Sequence, residues 1–311
     1  MNFDEQASGQ AADHQPNTDM VTTGRRYRIE HRTVYRYSDD VSASYGRGYL
    51  HPRDTPDQRC LDHRLLVEPE PSDAADGVDV YGNTSTYFHV TRPHTELSVV
   101  GLSEVEVSVP RWDRASGALP WERALPTPST DPRAIEFTLA SLLVQLPPEV
   151  REYAMTSFTP GRPMVQALTD LNHRIHTQFK YESGATSVSS TVLDVLEARA
   201  GVCQDFAHLA VACLRSLGLA CRYVSGYLAT YPPPGEERMI GVDASHAWAA
   251  VRLADGSWVG FDPTNDTLAD ERYTTIAWGR DYDDVPPLRG VIFTDAETHE
   301  MDVAVDVAPM P

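Results

Sequence analysis

Three side chains in this chain have the types needed for acyl chemistry: Cys203, His246 and Asp262. Cys203 follows Gly201-Val202 and opens a helical pattern. Phe206, Leu209, Ala210, Cys213, Leu214 and Leu217 fall on one face of a 3.6-residue period, and Gly218 stands where a glycine ends such a helix. The first N–H groups of a helix lack intrahelical partners and carry partial positive charge. A thiol placed there is expected to ionise more readily than a free one, and the thiolate is the reactive form. On its own a free cysteine is more often a small buried hydrophobe. The position therefore needs partners before it means chemistry.

The partners come from a predicted hairpin between Ser245 and Thr264. Ala254-Asp255-Gly256 suits a three-residue turn whose last position needs positive φ, which glycine supplies. That turn pairs Leu253 with Ser257, Ala249 with Phe261, and Trp248 with Asp262. Ala247, Ala249, Val251, Val259 and Phe261 then share an apolar face, while His246, Trp248, Gly260 and Asp262 share the other. His246 and Asp262 become diagonal neighbours, roughly 7 Å apart at the backbone and within side-chain reach. A two-residue turn would put them on opposite faces. In such a set the thiol attacks a carbonyl and the imidazole takes its proton and later gives it to the leaving amine. The carboxylate fixes the imidazole tautomer and stabilises the imidazolium. Singly, His246 reads as a core histidine and Asp262 as a turn-forming Asp-Pro residue. Together with Cys203 they point to catalysis.

The elements around these residues predict an α+β fold. Residues 1–24 are polar and expected to be a disordered tail. Residues 25–110 read as an N-terminal antiparallel β-sandwich. Tyr27, Ile29, His31, Thr33, Tyr35 and Tyr37 alternate with polar neighbours, and further short strands are separated by Pro52, Pro56, Pro69, Pro71 and Pro93. Residues 111–162 are a proline-rich connector with short helices, one capped by Asp131-Pro132 and running to about Leu143, another from Pro147 to Phe158. Residues 163–311 form the core and carry the C-terminal strands. Within them, Val165, Leu168, Leu171, Ile175 and Phe179 mark a helix, Thr186–Thr191 a polar loop, and Cys221–Leu228 a strand. Tyr231–Glu236 reads as an exposed loop.

The 311 residues suit two domains, and the formal charge of 26 − 45 = −19 argues against nucleic acid or an anionic membrane as partner. No apolar run is long enough to span a bilayer, and the acidic start at Asp4 and Glu5 lacks a secretory h-region. Cys60, Cys203, Cys213 and Cys221 form no disulfide framework and suit a reducing, cytoplasmic location. A zinc site from Cys203, His208, Cys213 and Cys221 lacks the spacing of known ligand pairs. His31, His51, His63, His89 and His94 share no spacing and read as strand or surface residues.

Four blocks carry a resemblance. They are Gly201-Val202-Cys203-Gln204-Asp205-Phe206-Ala207-His208-Leu209, Arg222-Tyr223-Val224-Ser225-Gly226-Tyr227, His246-Ala247-Trp248, and Trp258-Val259-Gly260-Phe261-Asp262-Pro263-Thr264. In this order they resemble the bacterial transglutaminase-like family. Residues from Tyr27 through Gly82-Asn83 look like its β-rich N-terminal domain. The resemblance implies a papain-like core with the Cys203 helix packed on an antiparallel sheet, Cys203 as nucleophile, His246 as base and Asp262 as orienting acid. It implies Tyr181 or Gln204 as a supporting or oxyanion residue beside the Cys203 backbone N–H. The implied partner is a peptide or protein substrate, with no cofactor. No D-x-D-x-D-G loop is present, so calcium activation is not implied. The expected activity is attack on a peptide or glutamine amide, with hydrolysis favoured over crosslinking. The competing reading is a non-catalytic peptide-binding module that keeps the fold. The sequence leaves the oligomeric state open.

Overall fold

A computed structural model describes residues 24–127, 132–186, 190–230 and 245–311. The expected N-cap Asp131, the Tyr231–Glu236 loop, most of the N-terminal tail and part of Thr186–Thr191 lie outside the described residues. The alternation that begins at Tyr27 runs on through one long strand, β1 (Arg25–Gly48), whose odd positions from Tyr27 to Thr33 are buried. It is followed by β2 (Gln58–Glu68), β3 (Asp73–Val78), β4 (Thr84–Val90) and β5 (His94–Val107). The connector holds α1 (Arg114–Gly117), α2 (Pro132–Glu136) and α3 (Pro148–Met155). Then come α4 (Met164–Gln178), β6 (Lys180–Tyr181), α5 (Val192–Ala198), β7 (Ala200–Gly201), α6 (Cys203–Ser216), β8 (Cys221–Leu228), β9 (Ser245–Arg252), β10 (Trp258–Asp262), β11 (Thr267–Leu268) and β12 (Tyr273–Gly279). The chain closes with β13 (Leu288–Thr294) and β14 (His299–Met310).

The strands expected as a sandwich form one seven-stranded antiparallel sheet that curls around β1. The register of β1 against β5 shifts between Arg36 and Val41. A bulge of this kind bends a strand and increases its twist. Phe88 and Val90 of β4 therefore meet Leu97 and Val99 of β5 in one apolar cluster, with Tyr37 and Val41 between them. The C-terminal strands, grouped with residues 163–311 in the sequence reading, belong to this first sheet. β14 lies along the first half of β1, Ile29 opposite Val307 and Thr33 opposite Val303, and β13 along the second half. Without them that edge of β1 would carry unpaired backbone groups. Val305 and Val307 are also buried in the main core with Tyr27 and Ile29.

The helix expected to reach Leu143 ends at Glu136. There the chain turns so that the Phe137 carbonyl accepts the Cys221 N–H, and the Phe137 ring packs edge-on to Trp258. Cys221 opens β8, so this contact ties the connector to the core sheet.

The core sheet has the order β11-β10-β9-β8-β12. Ala247, Ala249, Val251, Val259 and Phe261 join Phe206, Leu209, Ala210, Cys213 and Leu214 of α6 in one buried cluster. Each such Leu or Phe side chain contributes about 1.5–3 kcal/mol on burial. This pins the start of α6 relative to the ends of β9 and β10. The edge strand β12 is covered by side chains from the first sheet. Gln58 donates from Nε2 to Thr275 O and accepts the Thr275 N–H at 2.7 Å each. Asn83 does the same for Trp278, at 2.8 and 3.0 Å. His31 is buried at the same junction, its Nδ1 2.9 Å from the Tyr227 hydroxyl.

Candidate active site

Cys203 is the first residue of α6, as the apolar period predicts, and Phe206 N–H to Val202 O is the first helical bond. The N–H groups of Cys203 and Gln204 precede it and have no intrahelical acceptor. Asp205 braces this turn: its Oδ2 accepts the Val202 N–H at 2.8 Å and the Thr186 hydroxyl at 2.6 Å. Gly201 permits that approach, since a Cβ there would stand 2.8 Å from Asp205 Oδ2. β6 pairs in parallel with β7, Tyr181 opposite Gly201, and so delivers Tyr181 to the same end of the helix.

The hairpin has the register expected from its turn. Ala249 faces Phe261, Ala250 faces Gly260 and Val251 faces Val259. Leu253 N–H donates to Ser257 O at 2.8 Å, and Gly256 has φ +95°. His246 Nε2 donates to Asp262 Oδ2 at 2.7 Å. The His246 side chain is 10% exposed and that of Asp262 is fully buried. Cys203 lies close enough to the same ring to favour its charged form. With Nε2 committed to Asp262, the other ring nitrogen is the one free to serve the thiol. Burial opposes the charge on His246, but the bonds and charges of Asp262 and Cys203 outweigh it and raise its pKa to about 10.

Two residues that sequence reasoning missed complete the carboxylate's surroundings. The Tyr273 hydroxyl donates to Asp262 Oδ2 at 2.8 Å, and Asn265 Nδ2 donates to the same oxygen at 2.6 Å. Asp262 Oδ1 accepts the N–H groups of Thr264 and Asn265 at 2.8 and 3.3 Å. Burial alone would raise the Asp262 pKa, yet His246, Asn265 and Tyr273 together hold it below the usual carboxylate range. The Asn265 contact had a signal in the sequence, because an Asp often accepts from the backbone two and three residues on. Tyr273 sits on a strand that nothing local ties to the hairpin. Trp248 stacks on His246 with ring centroids 6.1 Å apart and meets Tyr273 edge-on at 5.3 Å, which fixes the imidazole plane.

The remaining residues fall at different distances from this centre. Tyr181 is 55% exposed, with its ring edge-on to Phe206. Desolvation, then the nearby Cys203 and Asp205, raise its pKa, so it keeps its proton at neutral pH. Gln204 is half-buried and forms no side-chain hydrogen bond with another described residue. His208 is buried, accepts the Tyr282 N–H at its Nε2 and packs on Tyr223. Burial lowers its pKa to about 4. Cys213 and Cys221 are wholly buried, and desolvation pushes both thiols up. Among the described residues no group of three or more metal-ligating side chains comes together.

A helix-borne cysteine packed on an antiparallel sheet, next to a His–Asp pair on adjoining strands, defines the class as papain-like. Residues 27–106 match the bacterial transglutaminase-like N-terminal region, and residues 153–263 match the transglutaminase-like superfamily core. An uncharacterized protein of Mycobacterium tuberculosis is 53% identical over 291 residues, spanning 91% of this chain and 93% of that protein. One from Mycobacterium leprae is 32% identical over 303 residues, spanning 91% and 98%. A crystal structure from Cytophaga hutchinsonii, described as "a Putative Cysteine Protease", superimposes with a TM-score of 0.76 at 22% identity, covering 93% of this chain and 92% of that one. The chain belongs to the bacterial transglutaminase-like family.

Proposed function

We propose that this chain is a cysteine enzyme acting on a peptide or glutamine amide. The observation that carries the reading is the 2.7 Å bond from His246 to the fully buried Asp262, with Cys203 acting on the same ring. In the proposed cycle His246 takes the Cys203 proton and the thiolate adds to the amide carbon. The Cys203 backbone N–H meets the developing oxyanion, with Tyr181 or Gln204 as a further donor. As the C–N bond breaks, the imidazolium gives its proton to the leaving amine and a thioester remains. A water deprotonated by His246 then releases the acid and the free thiol. An amine in place of water would form a new amide.

Hydrolysis is favoured over crosslinking in this reading, since crosslinking needs an amine-binding groove that excludes water. A cytoplasmic location and a peptide or protein substrate belong to the same proposal. The test is mass spectrometry of a peptide library incubated with the protein, with and without a primary amine. Chain cleavage marks proteolysis, a gain of about one dalton marks deamidation, and a gain of amine mass marks acyl transfer. If none appears and no thioester can be trapped, the reading gives way to a peptide-binding module.

A further inference from the structure

The face of the core sheet opposite α6 looks onto the first sheet across a cavity of about 480 Å³, within the range of small-molecule sites. Arg222 of β8 lines it. Its guanidinium lies 3.6 Å from the centroid of Trp278 and 4.3 Å from that of Trp258. Its Nε is buried without a hydrogen-bond partner, and among the described residues none accepts from the guanidinium. Arg53 lies 3.5 Å from the Trp278 centroid and adds positive charge. Burial first, then Arg53, lower the Arg222 pKa to about 9, so the group is still cationic at neutral pH.

The carboxylates on the cavity wall are already engaged. Asp57 pairs with Arg111 at 3.1 Å and Asp270 with Arg272 at 2.7 Å. Arg222 is half-buried, and a partly desolvated charge without a counter-charge carries a cost. The fully buried Arg215 shows the contrast: it donates to the carbonyls of Cys221, Leu139 and Arg280 and so is consumed by the fold. Arg222 has its flat faces on indoles and its N–H edge unclaimed. A planar guanidinium edge matches a carboxylate with two parallel bonds.

We propose that this cavity binds a carboxylate-bearing ligand, seated on the N–H edge of Arg222 between Trp258 and Trp278. The acid group is that of a free aromatic or aliphatic acid, or the terminal carboxylate of a peptide. Trp248 and Tyr273 also line the cavity, and they in turn contact His246 and Asp262. The site thus lies behind the wall that holds the imidazole.

The test titrates the full-length protein with 3-phenylpropionate, its neutral analogue 3-phenylpropan-1-ol, N-acetyl-trialanine with a free C-terminus, and inorganic phosphate. Tryptophan fluorescence and calorimetry read the binding. Saturable binding of 3-phenylpropionate, tenfold or more tighter than the alcohol, is expected, as a bond to a charged group implies. Tighter binding of N-acetyl-trialanine than of 3-phenylpropionate would identify a peptide end as the source, and the reverse a free acid. Arg222→Met should abolish the preference for the acid and be at least as heat-stable as the parent when unliganded. Equal binding of acid and alcohol, no saturable binding of either carboxylate, or tighter binding of phosphate would overturn the proposal. So would a marked stability loss in Arg222→Met, since the guanidinium would then be a structural part of the stack. The acid–alcohol comparison needs no variant, and binding is read without turnover, so the outcome is independent of the role of Cys203.

Discussion

Replacing Asp262 by asparagine tests how the site holds its charge. The carboxylate faces donors on both oxygens: His246 Nε2, Asn265 Nδ2 and the Tyr273 hydroxyl on Oδ2, and two backbone N–H groups on Oδ1. An amide can present its oxygen to one set only. Its NH2 then meets donors on the other side, whichever way it is turned. At least two donors lose an acceptor, at about 1–3 kcal/mol for each buried group left unsatisfied. The larger effect is on His246. Its pKa is about 10 against an ordinary 6.5, and Asp262 is the first-named of the two groups that raise it. With a pKa of 10 about 99% of the imidazole is protonated at pH 8; a full return to the ordinary 6.5, the limit if no other group raised it, would leave about 3%. Asp262→Asn should therefore alkylate at Cys203 more slowly at pH 8, by up to about thirtyfold, with a weak residual rate. A pKa raised in the folded state stabilises the fold fully below the unfolded value near 6.5, and this contribution is lost as the pH rises through about 10. Parent stability should accordingly fall by up to about 1.4 kcal/mol per pH unit across that window from this group, and the slope should shrink in Asp262→Asn, where only Cys203 still raises the group. Denaturant melts at several pH values and alkylation rates read both effects. Parent-like rates and an unchanged slope in the variant would refute the reasoning.

Tyr273→Phe keeps the ring against Trp248 but removes one bond to a buried carboxylate, so stability should drop by about 1.5–3 kcal/mol in denaturant melts. Its alkylation rate at pH 8 should fall far less than that of Asp262→Asn, since the carboxylate remains on His246; equal losses would contradict this. Gly256→Val forces a β-branched residue to φ +95° and brings its Cβ to 3.1 Å from the Arg252 guanidinium, which can shift. The backbone strain should cost about 1–3 kcal/mol and loosen the hairpin that sets His246 against Asp262. An unchanged melting midpoint would show that the turn does not define the register.

What the sequence made legible was local. The turn at Ala254-Asp255-Gly256 and strict alternation on both sides determine the hairpin register, because a one-residue slip would turn the whole apolar face outward. The start of α6 was readable from its period and its flanking glycines. The partners of β1 were not. Arg26 lies opposite Met310, and alternating valines in β14 state only that some strand accepts them. The helix after Pro132 was overextended because its pattern continues, while a tertiary bond to Cys221 N–H stops it. Tyr273 escaped notice because its role depends on strand order: β12 and β10 lie on opposite sides of β9 and β8, and only their twist brings the phenol to Asp262. Arg222 read as an ordinary strand residue until the fold set it between two tryptophans.

The most direct measurement is the rate of iodoacetamide labelling at each cysteine, followed by peptide mapping. Cys213 and Cys221 are wholly buried. Cys60 is the informative control: it is only partly buried, yet burial, then Asp54 and Asp62, raise its thiol to about 11. Cys203 is expected to label fastest at neutral pH and to slow strongly in His246→Ala, while Cys60 is unchanged between the two proteins. Labelling of Cys60 as fast as Cys203, or a Cys203 rate indifferent to loss of His246, would contradict the assignment of Cys203 as the nucleophile.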